Sequence, residues 1–390
     1  MENKGGCWPN QYQEYLLKAS LLKGKEAIDA WYEWKSNVDV DQLDMGSHRL
    51  LPLLYGNLQT QGVEDPLMAK FKGVYRYTWY KNQTSFHKMA AILNAFHNAG
   101  IRTMVLKGAA LTVLHYRDYG LRPMADFDLL VPTEQALAAI DLLVDLGWKP
   151  IDKSLKTIAK SLFHKTRHAE GFKDANGSEL DLHWHVLIEC LKPNSDIDFW
   201  NDAMEMKIKN IATRALSVTD QLFHICVHGG KYCDVSPIRW IADAIMILNT
   251  SRSDIDWDRL IVQAEKRRLV LPIKETLSYL KNKFDASIPQ VIIENLNKIP
   301  VSKMERLEYK TFTQPLFSLP GGSFLPGNWF IYLRCSKLND NSLIQPKFLG
   351  YPKFLQHFYG KDHLWQVPFY AAFKVFQRIW RTTLWHVKNG

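Results

Sequence analysis

The chain has 390 residues, 46% of them hydrophobic and 23% charged, the composition of a folded globular protein long enough for two or three domains. Its 13 Trp, 16 Tyr and 19 Phe carry too much apolar surface for a disordered chain, and its net charge of +9 favours anionic partners. Five scattered cysteines without a CxxC pair exclude a disulfide framework and a zinc ribbon; no signal-like N-terminus and no run of about 20 apolar residues occurs, so a cytoplasmic protein is expected.

Residues 10–98 are predicted as helices. Apolar residues recur at three- and four-residue spacing in YQEYLLKASLL, HRLLPLLYGNL and the long stretch from Phe71 to Gly100, where glycine ends the helix. IRTMVLKG (101–108) then reads as a short buried strand, and AALTVLHYRDYG (109–120) as a helix. ADFDLLVP is a second strand stopped by Pro132, and Thr133 is the expected N-cap of a helix running through Asp145 to Gly147. After a stretch with several histidines, Asn176-Gly177 marks a hairpin turn, and SELDLHWHVLI a further strand. From Asp220 the periodicity is helical again, and residues 310–350, rich in Gly, Pro and Ser, read as irregular.

Asp126 and Asp128 flank one residue of the second strand. Positions i and i+2 share a face, roughly 6.6 Å apart; two carboxylates there repel by about 2.5 kcal/mol at an effective dielectric of about 20, but by only about 0.6 in open water. A central strand therefore needs a cation between them, whereas an edge strand needs nothing. In ELDLHWHVL the alternation places Glu179, Asp181, His183 and His185 on one face and Leu180, Leu182, Trp184 and Val186 on the other. That polar face is either solvent-exposed or brings a third carboxylate beside the first two. VLKGAAL joins a strand end to a helix start through Lys107-Gly108. It is either an ordinary turn or a place where a close backbone and a positive charge meet phosphate.

Together these features have one economical chemical reading. Three carboxylates hold two Mg²⁺ ions, with Mn²⁺ as a substitute; the ions hold a nucleoside triphosphate, and an acceptor attacks its α-phosphorus. The segment MVLKGAALTVLHYRDYGLRPMADFDLLV, followed by ELDLHWHVL, resembles the nucleotidyltransferases of the DNA polymerase β superfamily, and within it the bacterial group of uncharacterised nucleotidyltransferase family proteins. The matching positions are Lys107-Gly108, Tyr116, Arg122, Asp126, Asp128, Asp181, His183 and Trp184, then His224, His228, Gly229, Arg239, Trp240 and Asp243. The likeness spans about residues 60–280. The superfamily's usual Gly-Ser turn is Lys107-Gly108 here, the lysine charge standing in for the hydroxyl.

The expected fold is mixed α/β: a small mixed-sheet nucleotidyltransferase core at 100–190, an N-terminal helical region at 1–99, a helical domain at 191–310, then an irregular segment with a basic aromatic helix at 311–390. Asp126, Asp128 and Asp181 are the expected catalytic and metal residues, Asp181 also helping to deprotonate the acceptor. Lys107 and Gly108 are expected on the phosphates. Arg122 is expected to orient the strand or neutralise charge near the nucleotide, with His183 beside them. The expected reaction moves a nucleoside monophosphate from a triphosphate such as ATP to an acceptor hydroxyl or phosphate on a small molecule, peptide or protein, and the resemblance implies a bacterial polysaccharide or peptide natural-product pathway. Two other classes stay open: a glycosyltransferase using Asp-x-Asp with Mn²⁺ and a nucleotide-sugar, and a non-catalytic nucleotide-binding or interaction protein.

The remaining motifs divide similarly. His224 and His228 share a helix face, either to ligate zinc or to pack on the core, and His183/His185 read as metal ligands or as polar neighbours of the site. Arg239 and Asp243 read as a helix-surface ion pair, with Lys231 and Arg239 facing the triphosphate as the alternative. Residues 367–388 form an amphipathic helix with Phe369, Phe373, Phe376, Trp380, Leu384 and Val387 on one side and Lys374, Arg378, Arg381 and Lys388 on the other. Such a helix lies on an anionic membrane or docks by its aromatic face. No Walker A or GxGxxG pattern and no specific nucleic-acid signal occurs.

Overall fold

Side chains that alternate apolar and polar through residues 126–131 and 179–184 require a sheet covered strongly on one face. The computed structural model, which describes residues 7–151, 166–231, 233, 235, 238–313, 324–336, 347–373 and 376, contains that sheet. Five helices come first: α1 (Gln11–Leu21), α2 (Gly24–Asn37), α3 (Met45–His48), α4 (Leu51–Thr60) and the 32-residue α5 (Leu67–Asn98). Then follow β1 (Met104–Leu106), α6 (Lys107–Leu111), β2 (Asp126–Leu130), α7 (Ala136–Asp145), β3 (Lys149–Pro150), β4 (Ala169–Lys173) and β5 (Glu179–His183). A short α8 (Ile197–Asn201) leads into the hairpin of β6 (Met204–Ile208) and β7 (Ile211–Ala215). Helices complete the described chain: α9 (Val218–Gly229), α10 (Arg239–Thr250), α11 (Trp257–Lys266), α12 (Val270–Phe284), α13 (Gln290–Lys298), α14 (Lys303–Thr313), α15 (Phe324–Ser336) and α16 (Lys347–Phe358).

The seven strands form one mixed sheet in the order β3-β4-β5-β2-β1-β7-β6. Strand β2 is central, antiparallel to β1 and parallel to β5. Its Phe127 and Leu129, with Val105, Leu180 and Leu182, face Phe86, Met89, Leu93 and Phe96 of α5 and Ala139 and Leu143 of α7. Each such burial stabilises by about 1.5–3 kcal/mol. Several of them outweigh the repulsion of the acidic pair, so the apolar face keeps β2 inside the sheet. The opposite face carries Asp126, Asp128, Glu179, Asp181 and His183. A second core joins Met104, Leu106 and Leu130 to Leu17, Trp31, Trp34 and Leu54 of the N-terminal helices and to Phe223, Ile241 and Leu277 beyond the sheet. A third packs Leu191 against Ile331, Phe354, Leu355, Tyr359 and Val367.

The sequence reading holds for the N-terminal helices, for the stop at Gly100 (φ +69°) and for the hairpin turn at Gly177 (φ +82°). It departs elsewhere. The helix expected over 109–120 ends early in a wide turn closed by Arg117 N–H to the Thr112 carbonyl at 2.9 Å, with Arg117 left-handed. Thr133 does not cap: its hydroxyl donates to the Trp184 carbonyl at 3.0 Å, and a 3₁₀ turn precedes α7. Strands β6 and β7 were not expected, although MEMKIKNIATRA alternates around a Lys209-Asn210 turn. Residues 324–336, read as irregular, are helical. Of the C-terminal amphipathic helix, residues 366–373 are helical, and Lys374 and 377–390 lie outside the described residues.

Candidate active site

The polar face of β2 and β5 assembles the site. Their parallel register sets Asp128 opposite Asp181 and Asp126 opposite Glu179. Ligand atoms of Asp128, Asp181 and His183 all lie within 4.8 Å of one another, the one such group among the described residues. Asp126, expected as a third ligand, stands on the same face but outside that group, and His183 takes its place. The cation required between the aspartates is supplied by the chain itself: Lys107 Nζ donates to Asp128 Oδ1 at 2.6 Å. His183 Nε2 donates to the same oxygen at 3.0 Å, leaving its buried Nδ1 without a partner among the described residues.

The charges are strongly coupled. Burial would raise the pKa of Asp128, but Lys107 and His183 hold it well below the carboxylate range. Burial and the Asp128 charge instead raise Asp126 and Asp181. Burial would lower the Lys107 ammonium, yet the surrounding carboxylates hold it above its ordinary value. Lys107 is thus engaged with carboxylate, not facing open solvent as a free phosphate contact.

The turn that delivers Lys107 has φ +42°, a left-handed conformation unusual for a residue with a side chain. Gly108 is required by what lies over it: a Cβ there would come within 2.6 Å of the Arg122 guanidinium and 3.3 Å of Met124. Gly108 therefore leaves room for the Arg122 and Met124 side chains packed over the turn. Arg122 is likewise turned away from the carboxylates. It forms a bidentate pair with Asp243 of α10, both contacts 2.7 Å, and Tyr116 donates to the same aspartate at 2.8 Å. Of the two roles expected for Arg122, orienting the strand fits this buried tie between the loop before β2 and α10. Asn82 of α5 secures that loop through the Tyr119 and Arg122 carbonyls, and Arg239 donates to the Pro123 carbonyl at 2.6 Å. The Arg239–Asp243 surface pair is accordingly replaced: Asp243 is buried and belongs to Arg122.

The other histidines separate by partner. His185 lies past the end of β5 and bonds Asp196 at 2.5 Å, away from the carboxylates. His224 is buried, its pKa lowered by burial and by Lys107, and its ring centroid is 6.1 Å from that of His228. Neither belongs to the metal-ligand group. His168, not singled out in the sequence, sets its ring edge-on to His183 at 5.4 Å. Lys231 pairs with buried Glu189. Gly171 was also missed: opposite Asp181 in β4, it has no side chain because a Cβ would reach Ile151 at 3.1 Å and Asp181 Oδ1 at 3.2 Å.

The family model described as "uncharacterised nucleotidyltransferase" matches residues 45–285. The chain is similar to the crystal structure of an antigenic nucleotidyltransferase-like protein from Paracoccidioides brasiliensis, at 13% identity and a TM-score of 0.36. That match covers 57% of this chain and 95% of the other. No curated protein matches the chain.

Proposed function

Because the chain belongs to the uncharacterised nucleotidyltransferase family, we propose that it transfers a nucleoside monophosphate from a nucleoside triphosphate to an acceptor hydroxyl or phosphate and releases pyrophosphate. The observation that carries this reading is the convergence of Asp128, Asp181 and His183 within 4.8 Å on one face of a central sheet.

Carboxylate oxygens suit Mg²⁺ and Mn²⁺, and the paired register of Asp128 and Asp181 presents two on adjacent strands, with Asp126 beside them. Asp128, Asp181 and Asp126 would hold such ions, which would supply positive charge against the negative charge developing on the triphosphate. His183 orients Asp128 through its Nε2–H. Asp181, whose carboxyl is held above the usual range by burial and by Asp128, takes the acceptor proton as the acceptor oxygen–phosphorus bond forms and the bond to pyrophosphate breaks. Helix α5 and the Arg122–Asp243 tie fix the loop that leads into Asp126.

Incubation with α-phosphorus-labelled nucleoside triphosphates, Mg²⁺ and cell extract tests the reading. Label should move to an acceptor with wild-type protein and not with Asp128→Asn. Turnover of a nucleotide-sugar with no pyrophosphate from any triphosphate would instead identify a glycosyltransferase.

An anionic membrane is proposed as a further partner of the C-terminal segment. Trp365, Phe369 and Phe373 are exposed, Trp365 by 66% and Phe369 by 72%, which favours the membrane-lying alternative over the docked one for these residues.

A further inference from the structure

Resting on that reading of the site, we propose that Lys107 is a built-in counterion: it holds the carboxylates together in the metal-free protein and must leave Asp128 before a divalent cation can bind. Asp128 Oδ1 accepts from Lys107 at 2.6 Å and from His183 at 3.0 Å, so one carboxylate oxygen of the ligand group already carries two donors. Asp128 is the ion-pair partner of Lys107 among the described residues, and Asp126 and Asp181 also act on the ammonium electrostatically. Without it, three carboxylates would face one another on a half-buried surface, a costly arrangement.

A divalent ion and an ammonium on one carboxylate oxygen repel, so the two occupants exclude each other. Lysine suits exchange. Its charge rides on a four-carbon stem with freely rotating bonds, unlike the fixed fork of an arginine. The left-handed backbone at Lys107 places that stem at the strand-to-helix turn, the segment expected to meet phosphate. On release, the ammonium is therefore free to turn to the triphosphate, and metal entry and phosphate binding become one linked event.

The probe is Mn²⁺ alone, its free concentration read by electron paramagnetic resonance in wild-type, Lys107→Met and Lys107→Arg proteins. Lys107→Met should bind Mn²⁺ about tenfold more tightly than wild type, because the competing charge is gone. It should also melt at lower temperature without metal and recover when Mn²⁺ is added, while Lys107→Arg should not gain affinity. Equal or weaker Mn²⁺ binding by Lys107→Met overturns the proposal. A second measurement uses the wild type and does not depend on the variants folding. Acylation of Lys107 by a water-soluble active ester, read by mass spectrometry, should rise on addition of Mn²⁺; unchanged labelling overturns the proposal. If wild type and both variants all fail to bind Mn²⁺ at millimolar concentration, the metal-dependent transferase reading itself falls.

Discussion

At the scale of single residues, the site is a set of charges that only make sense in pairs. Asp128 is stabilised as an anion by Lys107 and His183, while Asp126 and Asp181 are left protonating more easily than usual. Arg122 and Asp243 show the same logic without catalysis. Both are about 5% exposed, and removing one partner from such a pair typically costs about 3–5 kcal/mol, since the other charge remains buried. Asp243→Asn should lower stability on that scale in chemical denaturation. The pH dependence follows from the sign of the shift. Burial would raise the Asp243 pKa, but Arg122 outweighs it and holds it below the ordinary value. Its stabilisation is therefore complete above about pH 4 and lost as the protein is acidified. Wild-type melting temperature should fall through that acidic range, and Asp243→Asn should lack that part of the fall.

At the scale of elements, the period-two alternation in ADFDLLV and ELDLHWHVL placed Asp126 with Asp128 on one side of their strand and Asp181 with His183 on one side of theirs; that the two sides form one sheet face comes from the β2–β5 register. Strand partners were not legible, because which β-strand lies beside β2 is decided by long-range pairing. The turn to Lys107 was visible as a motif, but its partner was not: an ion pair between residues 21 apart in sequence leaves no local signal. Arg239 and Asp243 looked paired by their helical spacing, yet bidentate geometry with Arg122 wins. Gly171 belongs to this scale, since its role exists only once β4 lies beside β5. Gly171→Ala should push Asp181 from its place and slow the proposed nucleotidyl transfer, measured as pyrophosphate release. An unchanged rate would show that Ile151 gives way instead.

At the scale of the whole molecule, residues 346–390 hold seven Lys and Arg against the single acid Asp362, at the same end as the exposed aromatic side chains Trp365, Phe369 and Phe373. Apolar insertion and attraction to acidic lipid headgroups reinforce each other in such segments. The protein should sediment with vesicles containing acidic lipid and much less with neutral ones, and Phe369→Ala with Phe373→Ala should weaken that association. No helix among the described residues is long and apolar enough to cross a membrane.

The tie between Arg122 and Asp243 has one more consequence. The loop entering β2 is clamped by Asn82 from upstream and by Asp243 and Arg239 from downstream, and β1 borrows its neighbour β7 from beyond residue 210. A fragment trimmed to the acidic strands would therefore lose the three braces that aim its carboxylates. Minimal versions of this molecule have to keep both flanks.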